Sequence, residues 1–169
     1  VFVQLSQVFN SGPGSIHFYF HRDELFYAVA NTNQPDFQDD FNSIYFPILP
    51  FRDSLLRLRP GEVFVRSQDC PDEIFVPSVL YQDHFKDLGI FHVVHANLVD
   101  LEGATSGITL TRPESLSDFA EVELEAFQYI LPHLQRAMQM HIKLLDADGR
   151  NSMFESAWNR VPQGVVLVT

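Results

Sequence analysis

The residues of this chain best equipped for chemistry are its seven histidines, its single Cys70 and a cluster of arginines. His92 and His95 stand three apart in an alternating segment, which sends them to opposite faces of a strand. His17 and His21 share a face but lie ~13 Å apart on extended chain, too far to chelate one ion without further ligands. His133 and His141, eight apart on a helical pattern, are also too far apart. These spacings predict no metal site and no cofactor. For catalysis the chain offers no G-x-S-x-G elbow, no H-E-x-x-H, no P-loop and no G-x-G-x-x-G. Asp83 and His84 are neighbours on a helical segment, so their side chains diverge and make no relay. A His95–Tyr81 acid–base pair in a pocket is the one arrangement that would carry a reaction; otherwise the chain reads as a non-enzyme. Cys70 has no partner for an internal disulfide, and its setting, Gln68-Asp69-Cys70-Pro71-Asp72, puts acids beside the thiol. Acids raise a thiol pKa, so Cys70 reads as a loop cysteine and not a nucleophile. Arg52, Arg57, Arg59 and Arg66 form the basic cluster. Salt bridges to local acids are its plain reading, and an anchor for an anionic headgroup is the sharper one.

The elements that must position these residues follow from periodicity. The 169 residues, 46% hydrophobic with 16 Phe, are enough for one domain with a sizeable core. Phe2 to Phe9 reads as the tail of a helix, stopped by Asn10-Ser11-Gly12-Pro13-Gly14. Ser15 to His21 alternates as a strand, and Leu25 to Ala30 pairs with it as a hairpin. Asp36 opens a helical segment carrying Phe37, Phe41 and Ile44, and Phe51 to Leu58 is helical again. Glu62 to Arg66 is a short strand, and Ser67 to Pro77 a loop. A helix follows, with Tyr81, Phe85 and Leu88 on one face, Ser78 as its N-cap and Gly89 as its C-cap. Phe91 to Val99 and Gly107 to Thr111 make a last hairpin. The order predicts an α+β fold: an antiparallel sheet of about five strands with helices on both faces.

A long helix, 117–146, closes this unit. Asp118 and Glu121 resemble a capping box. Phe127, Leu131, Leu134, Met138, His141 and Leu145 form a heptad seam, expected to be a homodimer interface. A second apolar stripe, including Val122, Ala126, Ala137 and Met140, runs round the same helix. Pro132 predicts a kink. The domain is expected to span 1–146, with 147–169 a linker helix and the first strand of a following segment. That stub, with Val1 in place of a starting Met, reads as a piece of a longer protein.

Charge and hydropathy exclude some partners. The net charge of −11 repels phosphate backbones, so this chain is not expected to touch DNA itself. No apolar run approaches the roughly 18 residues of a membrane span, no basic-then-apolar leader opens the chain, and one cysteine fits a reducing, cytoplasmic setting.

Three stretches share one further likeness. Leu131-Pro132-His133-Leu134-Gln135-Arg136-Ala137, Ser78-Val79-Leu80-Tyr81-Gln82-Asp83-His84-Phe85 with Gly89-Ile90-Phe91-His92, and Leu110-Thr111-Arg112-Pro113 occur in the order found in LuxR-type helix-turn-helix regulators. Over roughly Phe37 to Leu145 the chain resembles the GAF-like sensory region of that bacterial family. The resemblance implies a ligand-sensing, dimerising part of a cytoplasmic transcription regulator, which reaches DNA only through a domain absent from this chain. It names no effector. A dimerisation scaffold that binds no small molecule is the alternative.

Alternation places the expected site. Ile16, Phe18, Phe20, Val63, Val65, Val94, Ala96, Ile108 and Leu110 make one sheet face for the terminal helices. The other face carries His17, Tyr19, His21, Phe64, Arg66, His95, Asn97, Thr109 and Thr111, a mix of rings and hydrogen-bonding groups that suits a roofed cavity of a few hundred Å³. Tyr45, Phe46, Tyr81 and Phe85 are the expected roof. The ligand-binding set is thus Tyr19, His21, Tyr45, Phe64, Arg66, Tyr81, Phe85, His95, Asn97 and Thr109.

Overall fold

The computed structural model describes residues 2–22, 25–30 and 41–147. Helix α1 (Phe2–Val8) leads into β1 (Gly14–Phe20) and β2 (Leu25–Ala30). Asn10, with φ at 43°, turns the chain out of α1, a left-handed position that Asn tolerates better than most residues. A π-helical turn (Phe41–Tyr45), α2 (Arg52–Arg57), β3 (Val63–Val65), α3 (Arg66–Asp69), α4 (Asp72–Phe75) and a second π-helical turn (Tyr81–Phe85) make up the middle. Strands β4 (His92–Leu101) and β5 (Ala104–Arg112) and helix α5 (Glu121–Ala147) complete the order. The fold is α+β, as the periodicity predicts.

The five strands pair in the order β2-β1-β5-β4-β3, every pair antiparallel. The β4–β5 hairpin turns tightly at Glu102-Gly103, where Gly103 takes φ of 83°. β5 therefore lies at the centre, between β1 and β4. A bulge follows Asn97, so that Leu98 and Val99, consecutive in sequence, both enter the same hydrophobic cluster. Gln135 of α5 donates to the Leu98 carbonyl at 3.1 Å, and Asn97 donates to Leu58 O and Asp100 Oδ1.

The two faces of the sheet carry separate cores. On one, Ile16, Val63, Val65, Val94, Ala96, Ile108 and Leu110 pack beneath Phe9, Phe119, Phe127 and Leu131. Phe9 meets Phe127 edge-on at 5.8 Å. On the other, Phe41, Tyr45, Phe46, Leu49, Phe51, Phe75, Leu80, Tyr81 and Phe85 form a layer over Tyr19, Phe64 and Val93. Burial of each such large side chain contributes roughly 1.5–3 kcal/mol.

Several expectations need correction. Ser67 to Pro77 is not a loop: two short helical turns cross it, and Arg66 starts the first of them instead of ending the strand. Its guanidinium finds Asp72 and the Cys70 carbonyl only if the chain turns there. Cys70 is a core residue, 2% exposed, and burial is the first cause that pushes its thiol up. The capping carboxylate of α5 is Glu123 and not Glu121: Glu123 accepts from Ala120 N at 2.8 Å, while Asp118 accepts from Phe119 N at 2.7 Å. Pro132 lies within the helix, which runs from Glu121 to Ala147.

The heptad seam also finds a different partner. Phe127 and Leu131, each 1% exposed, are spent on the chain's own sheet, with Leu134 and Met138 packed beside them. His141 is half-buried, and the side chain of Leu145 lies outside the described residues. Among the described residues, the large apolar side chains of α5 that face solvent are Val122, Tyr129 and Met140, two of them from the second stripe. The expected helical opening at Asp36 and Phe37, and residues 148–169 with the stub of a following segment, lie outside the described residues.

Candidate functional site

The sheet face opposite α5 supplies the floor of a cavity. Alternation sends His17 of β1, Val93 and His95 of β4, and Thr109 and Thr111 of β5 to this face. Phe41, Phe46, Leu49 and Phe51 roof it from the first π-turn and the start of α2, together with Leu55, while Phe85, Leu88 and Ile90 close it from the second π-turn and the segment after it. Pro13, Gly14 and Ser15 complete the lining. The cavity is partly open to solvent, and its volume is about 100 Å³, smaller than the few hundred expected. The reason is the number of Phe rings in the roof, which pack on one another and on the floor. Phe46 stands 5.1 Å from Tyr19, and Phe51 stacks on Phe64 at 5.1 Å.

The floor has an unusual centre. The imidazoles of His17 and His95 stack with centroids 4.8 Å apart and planes 24° from parallel. Their strands flank β5, so their backbones are about 9.5 Å apart by ordinary strand spacing. Gly107 of β5, which pairs with His17 on one side and Asn97 on the other, makes the meeting possible. A Cβ there would come within 2.6 Å of His95 Cε1 and 2.7 Å of His17 Nε2. His95 Nδ1 and the Thr109 hydroxyl share a hydrogen bond of 3.1 Å. Burial drives the pKa of His95 down to about 3. His17 is lowered by burial first and by His95 second. Both rings are therefore neutral near pH 7, each a potential donor and acceptor.

The expected ligand-binding residues divide by what they touch. Phe85, His95 and Thr109 line the cavity. Tyr19, Tyr45, Phe64 and Tyr81 belong to the aromatic layer around it without lining it. Tyr19 accepts from Arg52 at 3.3 Å, and Tyr45 meets the His84 ring at 4.3 Å. Tyr81 is held above its usual phenol range by burial first and Glu114 next, and it stands outside the cavity His95 lines, so the acid–base pair does not form. Asn97 is occupied by Leu58 and Asp100. His21 is exposed beyond the end of β1. Arg66, 1% exposed, is sandwiched between the rings of Phe75 and Phe91 at 4.6 and 4.7 Å and paired with Asp72. With Arg52 and Arg57 near Asp53, three of the four arginines of the basic cluster are in ion pairs, and none of the four is among the residues lining the cavity.

Sequence reasoning placed His17 and Thr111 on this face but did not count them among the ligand residues. It missed the wall from Leu49 to Leu55. The one signal available for the histidine pair was Gly107, a glycine inside a strand pattern, which marks a close approach. Among the described residues no three His, Cys, Asp or Glu side chains cluster as metal ligands, and no helix is long and apolar enough to cross a membrane.

The fold that carries this cavity is GAF-like. Among solved structures the chain is similar to the VqsR LBD domain of Pseudomonas aeruginosa, over 83% of each chain at 16% identity and a TM-score of 0.68. It is similar also to the GAF domain/HD domain protein of Geobacter sulfurreducens, over 85% of this chain and 90% of that one, at 14% identity and a TM-score of 0.58. A third is CepR2 of Burkholderia cenocepacia, an N-acylhomoserine lactone dependent LuxR family transcription factor. It matches over 78% of this chain and 73% of that one, at 14% identity and a TM-score of 0.52. No family model and no curated protein matches the sequence. At these identities the likeness is one of fold.

Proposed function

We propose that this chain is the ligand-sensing and dimerising part of a cytoplasmic bacterial transcription regulator, and that it reaches DNA only through a domain outside it. The observation that carries the reading is the cavity on the sheet face opposite α5, with neutral hydrogen-bonding groups on its floor and rings in its roof. Ligand sites are typically apolar hollows with a few placed polar groups, which is this composition. The fold shared with VqsR LBD and with the acyl-lactone-dependent CepR2 supports the sensory role. The charge of −11 supports a part that leaves the nucleic acid to another domain.

Dimerisation is carried by the outward side of α5. Val122, Tyr129 and Met140 are 69%, 78% and 64% exposed on a helix whose opposite side is already packed. A second copy laid against that stripe would bury them.

The small volume of the cavity favours one competing reading, a scaffold that dimerises and senses nothing. Native mass spectrometry of protein purified from its own host separates the two. The sensing reading expects a non-covalent small molecule that is lost on denaturation. Its absence, together with no thermal shift across a metabolite panel, would leave the scaffold.

A further inference from the structure

We propose, resting on the sensing reading above, that the cavity takes an uncharged single-ring aromatic molecule with one hydrogen-bonding group, read by Thr109 and the His17–His95 pair. Size comes first. An apolar cavity of ~150 Å³ accepts benzene, and the volume here, about 100 Å³, is on the scale of one ring. An acyl chain directed inward from the opening would require the Phe roof to unpack, because close-packed cores do not yield by a few methylenes. Shape agrees with size. Phe46, Phe51 and Phe85 present rings on the roof and the two imidazoles present rings on the floor, so an aromatic ligand gains offset or edge-on contacts on both sides.

Charge narrows the class further. No Asp, Glu, Lys or Arg is among the described residues lining the cavity, and Arg66, the buried cation of this half, is occupied by Asp72 and two rings. An ionised ligand would therefore be buried without a counter-charge. The imidazoles cannot supply one, since burial holds them neutral. What the floor does offer is a hydroxyl and neutral imidazole nitrogens, joined by the 3.1 Å bond between Thr109 and His95. A phenol-type hydroxyl, able to donate and accept, can enter that bond from the cavity side.

The test is a heteronuclear NMR titration of the whole chain with four probes: phenol, toluene, benzoate and an N-octanoyl homoserine lactone. Phenol is expected to move the amide signals of Gly107, Thr109 and Phe85 saturably, and to bind about tenfold more tightly than toluene, the worth of one good hydrogen bond. Benzoate is expected to leave those signals in place. Thr109→Val, which keeps the side-chain shape, should bring phenol down to the affinity of toluene, and Phe46→Trp should block both. Benzoate binding as well as phenol, or an undiminished phenol preference in Thr109→Val, overturns the inference. Saturation by the octanoyl lactone alone also overturns it and leaves the sensing reading standing. If no probe binds and no ligand accompanies the protein from its host, both fall.

Discussion

His17 and His95, on strands that never pair with each other, stack at 4.8 Å across Gly107 of the strand between them. The contact depends on a missing side chain. A methyl at position 107 would meet both rings, and the Ala96 carbonyl at 3.0 Å besides, with no flexible end to move aside. Gly107→Ala is expected to cost about 1–3 kcal/mol, as overpacking of a filled core does. Urea unfolding measures it. Gly12→Ala, whose Cβ would meet nothing nearer than 3.7 Å, is the matched control and should change little.

The same pair makes the fold sensitive to acid. Both folded-state pKa values lie below the ordinary 6.5, that of His95 at about 3. Below pH 6.5 the unfolded chain takes up protons that the folded chain refuses. Stability is therefore full above that pH and declines as pH falls, by about 1.4 kcal/mol per unit for each group. Urea midpoints from pH 7.5 to 5.0, a window chosen to precede most carboxylate titration, should show the decline. In a His17→Asn/His95→Gln double variant the slope should flatten; an equal slope in both proteins would refute this origin.

At the other end of β5, Arg112 ties three elements together. It is 3% exposed, donates to Phe9 O at 2.6 Å and to the Ser117 and Asp118 carbonyls, pairs with Glu123, and lies 4.1 Å over the Phe119 ring. The hydrogen bond from Arg112 is the first cause holding the Glu123 carboxyl below its usual range. Glu123→Gln leaves the guanidinium buried without its counter-charge. Because Glu123 keeps some solvent contact, the expected loss is about 2 kcal/mol, less than for a wholly buried pair. Hydrogen exchange should show the first turn of α5 opening before the rest.

Helix α5 allows its two sides to be told apart by substitution. Phe127→Asp puts a charge into the core and should unfold the domain. A Tyr129→Asp/Met140→Asp variant should keep the folded circular dichroism of wild type yet sediment as a monomer where wild type is dimeric. A wild type that is monomeric at tens of micromolar would remove the dimer from the proposed function.

Much of this architecture is written locally. Strict alternation in Ile16 to Phe20 and in Val93 to Asn97 assigns each residue to a sheet face, because successive strand side chains point opposite ways. Gly89 and Gly103, at φ of 65° and 83°, end a segment and turn a hairpin where an L side chain would be strained. That is why His95 and Thr109 were legible as members of one face, and why α5 was legible as a long amphipathic helix. Periodicity, however, names a face and not what covers it. The seam through Phe127 and Leu131 has the same repeat whether it meets a second copy or its own sheet, and only the tertiary packing gave it to the sheet. Asn97 sits on the expected face but is held by Leu58 and Asp100, and Arg66 leaves the strand altogether to meet Asp72, partners that depend on the course of the connecting turns. The histidine pair is the clearest case. His17 and His95 are separated by most of the domain in sequence, and no spacing rule joins them. They meet because β5 returns between β1 and β4 and brings a glycine to the crossing point, a consequence of strand order, which is set by long-range packing.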